Sequence, residues 1–140
     1  MLKDETHGLV FMRTARYISR VYNRHLANVS LSASQHGILE AVGRLGPVTL
    51  QDVTNDLMAE RSAVQRTLQP LIKQQLLRAT ADPAHKKRLL FQLTDDGRQR
   101  LDSSAACISS AEAEIEGLFE QSKLPNVCFD WRIQPVDATH

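Results

Sequence analysis

The chain has 140 residues, of which 42% are hydrophobic and 24% are charged, a composition typical of one globular domain that can bury its own core. It excludes collagen-like, coiled-coil and fully disordered chains, and no apolar run approaches the roughly 18 residues of a membrane-spanning helix. The first residues include Lys3, Asp4 and Glu5, whereas a secretory signal has positive charge followed by an apolar stretch. We therefore expect a cytoplasmic protein.

The net charge of +1 conceals an uneven distribution along the chain. Residues 60–100 contain nine Lys or Arg and four Asp or Glu, whereas residues 101–140 contain two and seven. A polyanion would be attracted to the middle segment and repelled by the last one. A surface that is merely charged and solvated would give the same totals, so the order of the residues has to distinguish the two interpretations.

Two helices are predicted in the first third of the chain. Apolar residues at steps of three and four predict a helix over residues 7–28. Ser32 and Gln35 form a capping-box pattern, in which each side chain can satisfy a backbone amide at a helix start. The helix that they open should end at Gly46 and Pro47, because this pair stops helices.

A helix-turn-helix is predicted over residues 50–75. Thr49 and Asp52 repeat the capping pattern, which predicts a short helix of about two turns. After a brief turn, helical spacing resumes at Arg61 and continues to the end of the segment. Pro70 should remove one hydrogen bond and kink this second helix. A short helix, a tight turn and a longer helix are together typical of a helix-turn-helix.

The pattern then changes to two short apolar runs, residues 76–81 and 88–93, which predict the antiparallel strands of a hairpin. The residues between them, 82–87, should form the turn and give it a basic tip. Thr94 can cap the helix that follows over residues 95–119. Because that helix is too long for so small a domain to cover, we expect part of its apolar stripe to pack on a second copy of the chain.

No helical period continues into residues 121–140, which are predicted to form an irregular tail. Cys107 and Cys128 lie 21 residues apart without a CxxC motif or a histidine cluster, so neither a disulfide framework nor a zinc site is indicated. The histidines lack the spacing of metal ligands, and no GxSxG, HExxH or phosphate-binding glycine loop occurs. We therefore predict no cofactor, no metal and no catalytic residues.

Together these elements predict a mainly α fold with a small β-hairpin, in which a winged helix-turn-helix lobe is joined to a helical dimerisation region. A single domain should span residues 1–120. Within it we expect the helix-turn-helix at about 50–75, the wing at about 76–93, and the dimerisation helices at about 7–28 and 95–119.

Five pieces of the sequence, in this order and with these gaps, resemble the MarR family of bacterial transcription regulators. They are Leu50–Leu57, Glu60–Arg66, Leu68–Leu71, Asp82 with Pro83, and Leu93–Gly97. The resemblance covers about residues 7–120. It implies a homodimer on a pseudo-palindromic operator, with the longer helix in the DNA major groove and the basic hairpin at the minor groove. It also implies repression that a small ligand relieves.

The longer helix and the hairpin carry side chains that can donate hydrogen bonds to base edges or phosphate oxygens. Among the residues of the longer helix, Arg61 and Arg66 are predicted to contact the DNA directly. The hairpin cations are predicted to contact phosphate or a narrow minor groove. The full predicted DNA-binding set is Arg61, Ser62, Gln65, Arg66, Gln69, His85, Lys86, Lys87 and Arg88.

The resemblance also implies an effector, often an aromatic carboxylate or a phenol in this family, that binds between the DNA-binding lobe and the dimerisation helices. We expect its site to be lined by Phe11, Arg16, His36, Leu39 and Ile108.

Two alternatives stay open at this point. A redox-responsive regulator would use Cys107, which lies on the last helix where a dimer partner could present its own copy. A lone cysteine on an apolar helix face is, however, usually buried and inert. A winged helix that binds only proteins would show no salt-dependent binding to DNA.

Overall fold

The computed structural model describes residues 6–122, and this part of the chain contains five α-helices and a two-stranded antiparallel sheet. The elements are α1 (His7–Leu26), α2 (Ala33–Leu45), α3 (Leu50–Leu57), α4 (Arg61–Lys73), β1 (Leu77–Asp82), β2 (His85–Leu93) and α5 (Asp95–Ser122), with a short 3-10 helix (Ala27–Val29) directly after α1. The predicted fold class, mainly α with a small hairpin, is confirmed. None of these helices is long and apolar enough to cross a membrane.

The predicted helix starts are formed by the expected caps. The Ser32 hydroxyl accepts the Gln35 N–H at 3.1 Å, and the Gln35 side-chain oxygen accepts the Ser32 N–H at 3.0 Å. Thr49 and Asp52 make the same reciprocal pair, with both bonds at 3.1 Å. Each capping box satisfies two backbone amides that the first helical turn leaves without an intrahelical partner.

The end of α4 differs from the prediction. The helix continues through Pro70 but ends at Lys73 rather than at Gln75. Gln75 has a left-handed backbone with φ of 62°, which no longer propagates a right-handed helix. The Leu76 N–H then donates back to the Leu71 carbonyl oxygen at 2.9 Å, a bond typical of a helix terminated in this way.

The hairpin turn is tighter than predicted. Only Pro83 and Ala84 separate the two strands, because the Asp82 carboxylate accepts the Ala84 N–H at 2.9 Å and closes the chain at once. The strand register is irregular between Ala81 and Asp82, and Asp82 pairs with His85. His85, Lys86 and Lys87, which were expected in the turn, therefore lie on β2, as Arg88 was predicted to do.

The main core lies where α2, α3 and α4 meet the hairpin. Its buried members are apolar and come from every one of these elements; they include Ile38, Leu39, Val42, Val53, Val64, Leu68, Leu71, Leu76, Leu77 and Phe91. A smaller cluster, formed by Val21, Ala111 and Ile115, joins α1 to α5. The helix-turn-helix and the hairpin therefore share one core, and the long first and last helices are held together by another.

The last helix is longer than predicted. It runs from Asp95 to Ser122, so the first two residues assigned to the irregular tail belong to α5. The rest of the predicted tail, residues 123–140, lies outside the residues that the structure describes.

Candidate DNA-binding surface

A groove of about 740 Å³ lies between α3, α4 and β2; we call it the α4–β2 groove. Six residues of the predicted DNA-binding set line it: Arg61, Gln65 and Gln69 from α4, and His85, Lys87 and Arg88 from β2. The structure thus brings the helix and the hairpin, which are separate segments of sequence, to one surface. Ser62, Arg66 and Lys86 are exposed but are not among the lining residues.

The two faces of α4 differ sharply in burial. Val64, Leu68 and Leu71 are buried in the core, and their spacing of four and three residues is that of one helix face. All five residues predicted on α4 for DNA contact are exposed. The core therefore holds α4 with its polar face outward, as a helix that enters a DNA groove requires.

Arg61 is held in place by α3. Its guanidinium donates to the Gln51 side-chain oxygen at 2.7 Å, and the Gln51 amide donates in turn to Asn55 at 2.8 Å. The bond to Gln51 engages one of the five N–H donors of the guanidinium. Gln51 also lines the α4–β2 groove, although the sequence analysis did not select it. Its only sequence signal is the polar pair that it makes with Asn55 one turn later on α3.

Regular alternation of side chains on β2 is interrupted near the turn, where Ala81 pairs with Leu89 and Asp82 pairs with His85. His85, Lys87, Arg88 and Leu89 all line the α4–β2 groove. Leu89 is 50% exposed, an apolar side chain open to solvent among cations. The sequence pattern predicts a strand at this position but does not indicate that Leu89 is exposed in the α4–β2 groove.

The N-terminus of α3 forms another wall of the α4–β2 groove, through Thr49, Leu50, Gln51 and Asp52. The Asp52 carboxylate is the acidic group of this wall, and it accepts the Thr49 N–H at 3.1 Å. A carboxylate in a first helical turn is stabilised by the positive end of the helix dipole. The charge of Asp52 is therefore partly compensated by its own helix.

Polar contacts tie α1 to α5. The Glu114 carboxylate accepts from Arg24 at 2.5 Å and from His25 at 2.7 Å, and these hydrogen bonds, that of Arg24 first, lower the pKa of Glu114 to about 2. The Tyr22 hydroxyl donates to Glu112. Burial, and then the bond to this carboxylate, raise the pKa of Tyr22 to about 12. These contacts surround the small apolar cluster between the two helices.

The residues predicted for an effector site are not all brought together. Leu39 is completely buried in the main core, and Ile108 packs against the same cluster. His36 is half-buried on α2, and its burial lowers its pKa. Phe11 and Arg16 are exposed on α1, and Phe11 belongs to neither apolar cluster. A ligand could reach Leu39 only if the core opened, so the site stays a prediction.

Cys107 is half-buried on α5 and packs against the main core. The second cysteine, Cys128, lies outside the described residues. In residues 6–122 no group of three or more His, Cys, Asp or Glu is arranged to hold a metal ion. The redox interpretation of Cys107 stays a prediction.

Comparison with known proteins identifies the domain that contains the α4–β2 groove. Residues 31–97 match the family of the winged helix DNA-binding domain. The chain is also 26% identical over 139 residues to YvnA, an HTH-type transcriptional regulator of Bacillus subtilis, in an alignment that covers 90% of this chain and 88% of YvnA.

Solved structures have the same fold. BpsR of Bordetella bronchiseptica superposes with a TM-score of 0.72 at 19% identity, covering 91% of this chain and 99% of BpsR. A MarR mutant from E. coli, complexed with operator DNA, superposes with a TM-score of 0.67 at 17% identity, and the match covers 82% of this chain and 91% of MarR. MOSR of M. tuberculosis, in complex with DNA, superposes with a TM-score of 0.72 at 24% identity, and the match covers 81% of this chain and 82% of MOSR. Residues 31–97 are therefore similar to a winged helix DNA-binding domain, and the chain has the fold of the MarR regulators.

Proposed function

We propose that the chain is a sequence-specific transcription regulator of the cytoplasm, which binds operator DNA as a homodimer, acts by binding rather than by catalysis, and represses the genes that it controls. The observation that carries this proposal is the α4–β2 groove, where polar and cationic side chains of α4 and β2 line one surface. The relatives MarR and MOSR, which share the fold, have been seen with DNA.

The two elements of this surface have different tasks in the proposal. An α-helix with its side chains is about as wide as the major groove of B-DNA, roughly 12 Å, so α4 can present Arg66 and Gln65 to base edges. The cations of β2, such as Lys87, lie beside it and neutralise phosphates. DNA-binding specificity would come from α4, and much of the affinity from β2.

The proposed dimer is built from α1 and α5. Leu9, Met12 and Tyr17 on α1 are each about half exposed, at 48%, 51% and 49%. Clusters of large exposed apolar side chains on a soluble protein commonly mark an interaction surface. A second copy would cover them and place two α4 helices on one face of the DNA, about one helical turn apart, roughly 34–36 Å.

The acidic groups of α5 support this arrangement. Glu112, Glu114, Glu116 and Glu120 lie in the second half of the helix, far along the chain from the hairpin. These carboxylates offset the arginines of α1, which packs on the same half of α5, so DNA phosphates would be attracted less to this end than to the basic residues of α4 and β2. The protein would therefore approach DNA with the α4–β2 groove first.

We also propose a small aromatic or phenolic effector. The relative BpsR supports the idea, because 6-hydroxynicotinic acid regulates its DNA binding. The candidate site is the region near His36 between α2 and the dimerisation helices. Titration of 6-hydroxynicotinic acid and of simple benzoates into the protein–DNA complex should release DNA at millimolar concentration or below, and a complex insensitive to all of them would refute this part of the proposal.

The decisive experiment selects duplexes from a random pool with the purified full chain. The proposal expects enrichment of a pseudo-palindrome, with binding that weakens steeply as salt rises. Sedimentation should give twice the mass of one 15.7 kDa chain. A monomeric protein that enriches no sequence would refute the proposal. Met12→Glu should weaken the dimer while the protomer stays folded, because Met12 is exposed within one chain.

A further inference from the structure

Thr94, the single residue between β2 and α5, joins the end of α4 to the start of α5. Its hydroxyl donates to the Gln75 carbonyl oxygen at 2.6 Å and accepts the Gly97 N–H at 3.0 Å. Its backbone N–H donates to the Leu76 carbonyl oxygen at 3.2 Å. One residue thus connects the chain that leaves α4 to the first turn of α5.

Gly97 lets α5 approach this segment closely. A Cβ atom added at Gly97 would lie 1.9 Å from the Leu76 carbonyl oxygen, which is far inside van der Waals contact. Only glycine, which has no Cβ, permits this approach. The space between the exit of α4 and the first turn of α5 is therefore closed to any side chain.

Gln75 gives the segment that leaves α4 a defined conformation. Its φ is 62°, and the N–H groups of Gln75 and Leu76 donate to the carbonyl oxygens of Ile72 and Leu71, each at 2.9 Å. These two bonds form a Schellman motif, and Leu71 and Leu76 are buried in the same core. The direction of the Gln75 carbonyl group, which receives the Thr94 hydroxyl, is therefore set by α4 itself.

The two helices that meet at Thr94 have different tasks in the proposed dimer. α4 lines the α4–β2 groove, whereas α5 is tied to α1 through apolar and charged contacts. The remaining contact between these regions includes apolar packing around α2 and hydrogen bonds from Arg98 and Arg100 to the carbonyl oxygens of Gly43 and Val29, at 3.4 Å and 3.2 Å, which do not reach α4. Apolar burial is non-directional, whereas a hydrogen bond has preferred distances and angles. The bonds of Thr94 are thus suited to define the angle between α4 and α5.

We propose that Thr94 is a positioning residue, which sets the angle between α4 and α5 and thereby the half-site spacing that the dimer accepts. The inference rests on the dimeric DNA binding proposed above. One inserted base pair shifts a half-site by about 3.4 Å and rotates it by about 35°. Two α4 helices held at one angle cannot both follow that change.

The test uses the duplex that the wild-type protein selects, together with versions that have one base pair inserted or removed between the half-sites. Thr94→Ser keeps the hydroxyl, whereas Thr94→Val keeps the shape of the side chain without it. Wild type and Thr94→Ser should bind the altered duplexes about tenfold more weakly, within the range that one mismatched base pair costs, and Thr94→Val should bind all three within about twofold.

Thr94→Asp separates the hydrogen bond to Gln75 from the helix cap at Gly97. Its carboxylate can still accept the Gly97 N–H, as a good helix cap does, but it has no proton to donate to Gln75. This variant should fold and lose the spacing preference as Thr94→Val does. Thr54→Val is the matched control, because the Thr54 hydroxyl donates to Leu50 within α3 at 2.8 Å; it should keep the wild-type preference.

The outcomes distinguish the role of Thr94 from the function itself. If wild type binds no duplex, the proposed function fails and this inference with it. If wild type prefers one spacing and Thr94→Asp keeps that preference, or loses affinity equally for all three duplexes, then only the inference about Thr94 fails. An equal loss of affinity for all three duplexes would mean that Thr94 supports the fold without setting the half-site spacing.

Discussion

The Arg61 guanidinium on α4 donates a hydrogen bond of 2.7 Å to the side-chain oxygen of Gln51 on α3. The bond holds a cation at the wall of the α4–β2 groove before DNA is bound. Removing it with Gln51→Ala should weaken DNA binding about two- to tenfold, the net worth of one exposed hydrogen bond. Stability should change little because Gln51 is exposed. Fluorescence anisotropy would measure the affinity, with Gln74→Ala, an exposed glutamine that is not among the groove-lining residues, as control.

Arg66 should read the DNA sequence. It is exposed on the outward face of α4, where a guanidinium can donate two hydrogen bonds to a guanine edge. We expect Arg66→Ala to lose about 1–3 kcal/mol on the selected duplex and much less on scrambled DNA. Competition titrations with both duplexes measure the difference. An equal loss on the two duplexes would mean that Arg66 contacts phosphate instead.

Lys87 should contribute affinity without sequence preference. It lies on β2 and lines the α4–β2 groove. Lys87→Ala should weaken binding to selected and scrambled DNA alike, and lower the slope of log K against log salt by about 0.9 for each lost phosphate contact. Lys73→Ala, at the far end of α4 and not among the residues that line the groove, is the control and should leave the slope unchanged. A shift in sequence preference would reverse the tasks assigned to Lys87 and Arg66.

The pKa of Glu114 predicts an acid-labile contact between α1 and α5. Its pKa is about 2 in the folded protein, against an ordinary value of 4.5, because Arg24 and then His25 donate to it. A carboxyl group with a lowered pKa stabilises the fold above its ordinary pKa and loses that contribution as the pH falls toward the folded value. The contribution of Glu114 should therefore be complete above pH 4.5 and disappear near pH 2.

Urea unfolding of wild type and Glu114→Gln across this range would test the prediction. The wild-type advantage over Glu114→Gln should be present at neutral pH and shrink as the pH falls. Glu116→Gln, the exposed neighbour on α5, should behave as wild type. A constant difference between wild type and Glu114→Gln at all pH values would contradict the assignment.

Two glycines of α5 should respond to alanine in opposite ways. Gly97→Ala forces a methyl group against the Leu76 carbonyl group and should lower the free energy of unfolding by about 1–3 kcal/mol, as overpacking does. A Cβ atom at Gly117 meets nothing within 4 Å in the protomer, so Gly117→Ala should raise it by about 0.5–1 kcal/mol. Chemical denaturation of both variants measures the change in the free energy of unfolding. Equal changes would show that Gly97 is not tightly packed.

Local signals in the sequence predicted most of the elements. The caps at Ser32, Thr49 and Thr94 depend on residues three positions apart, so the pattern contains all the required information. The fold class and the resemblance to MarR regulators, which used several such pieces in order, are confirmed. The tight turn after Asp82 also has a local cause, because an Asp side chain can accept a hydrogen bond from the backbone N–H two residues later.

Other features depend on how separate elements pack. The left-handed Gln75 has no sequence signal, because glycine is the residue expected at such a position. The contact between Gln51 and Arg61 requires the angle between α3 and α4, and the exposure of Leu89 requires the placement of β2 against α4. These relationships are tertiary, so periodicity and propensity could not supply them.

The short turn at Pro83 and Ala84 affects the thermodynamics of DNA binding. Because His85 pairs with Asp82 and Leu89 pairs with Ala81, the cations between them are held at both ends within β2, and their backbone is more restricted in the isolated protein than that of a free loop. Ordering the backbone of a loop residue costs about 1–2 kcal/mol of conformational entropy. Part of that cost arises here when the hairpin folds and not when DNA arrives, so more of the attraction between these cations and phosphate remains available as affinity.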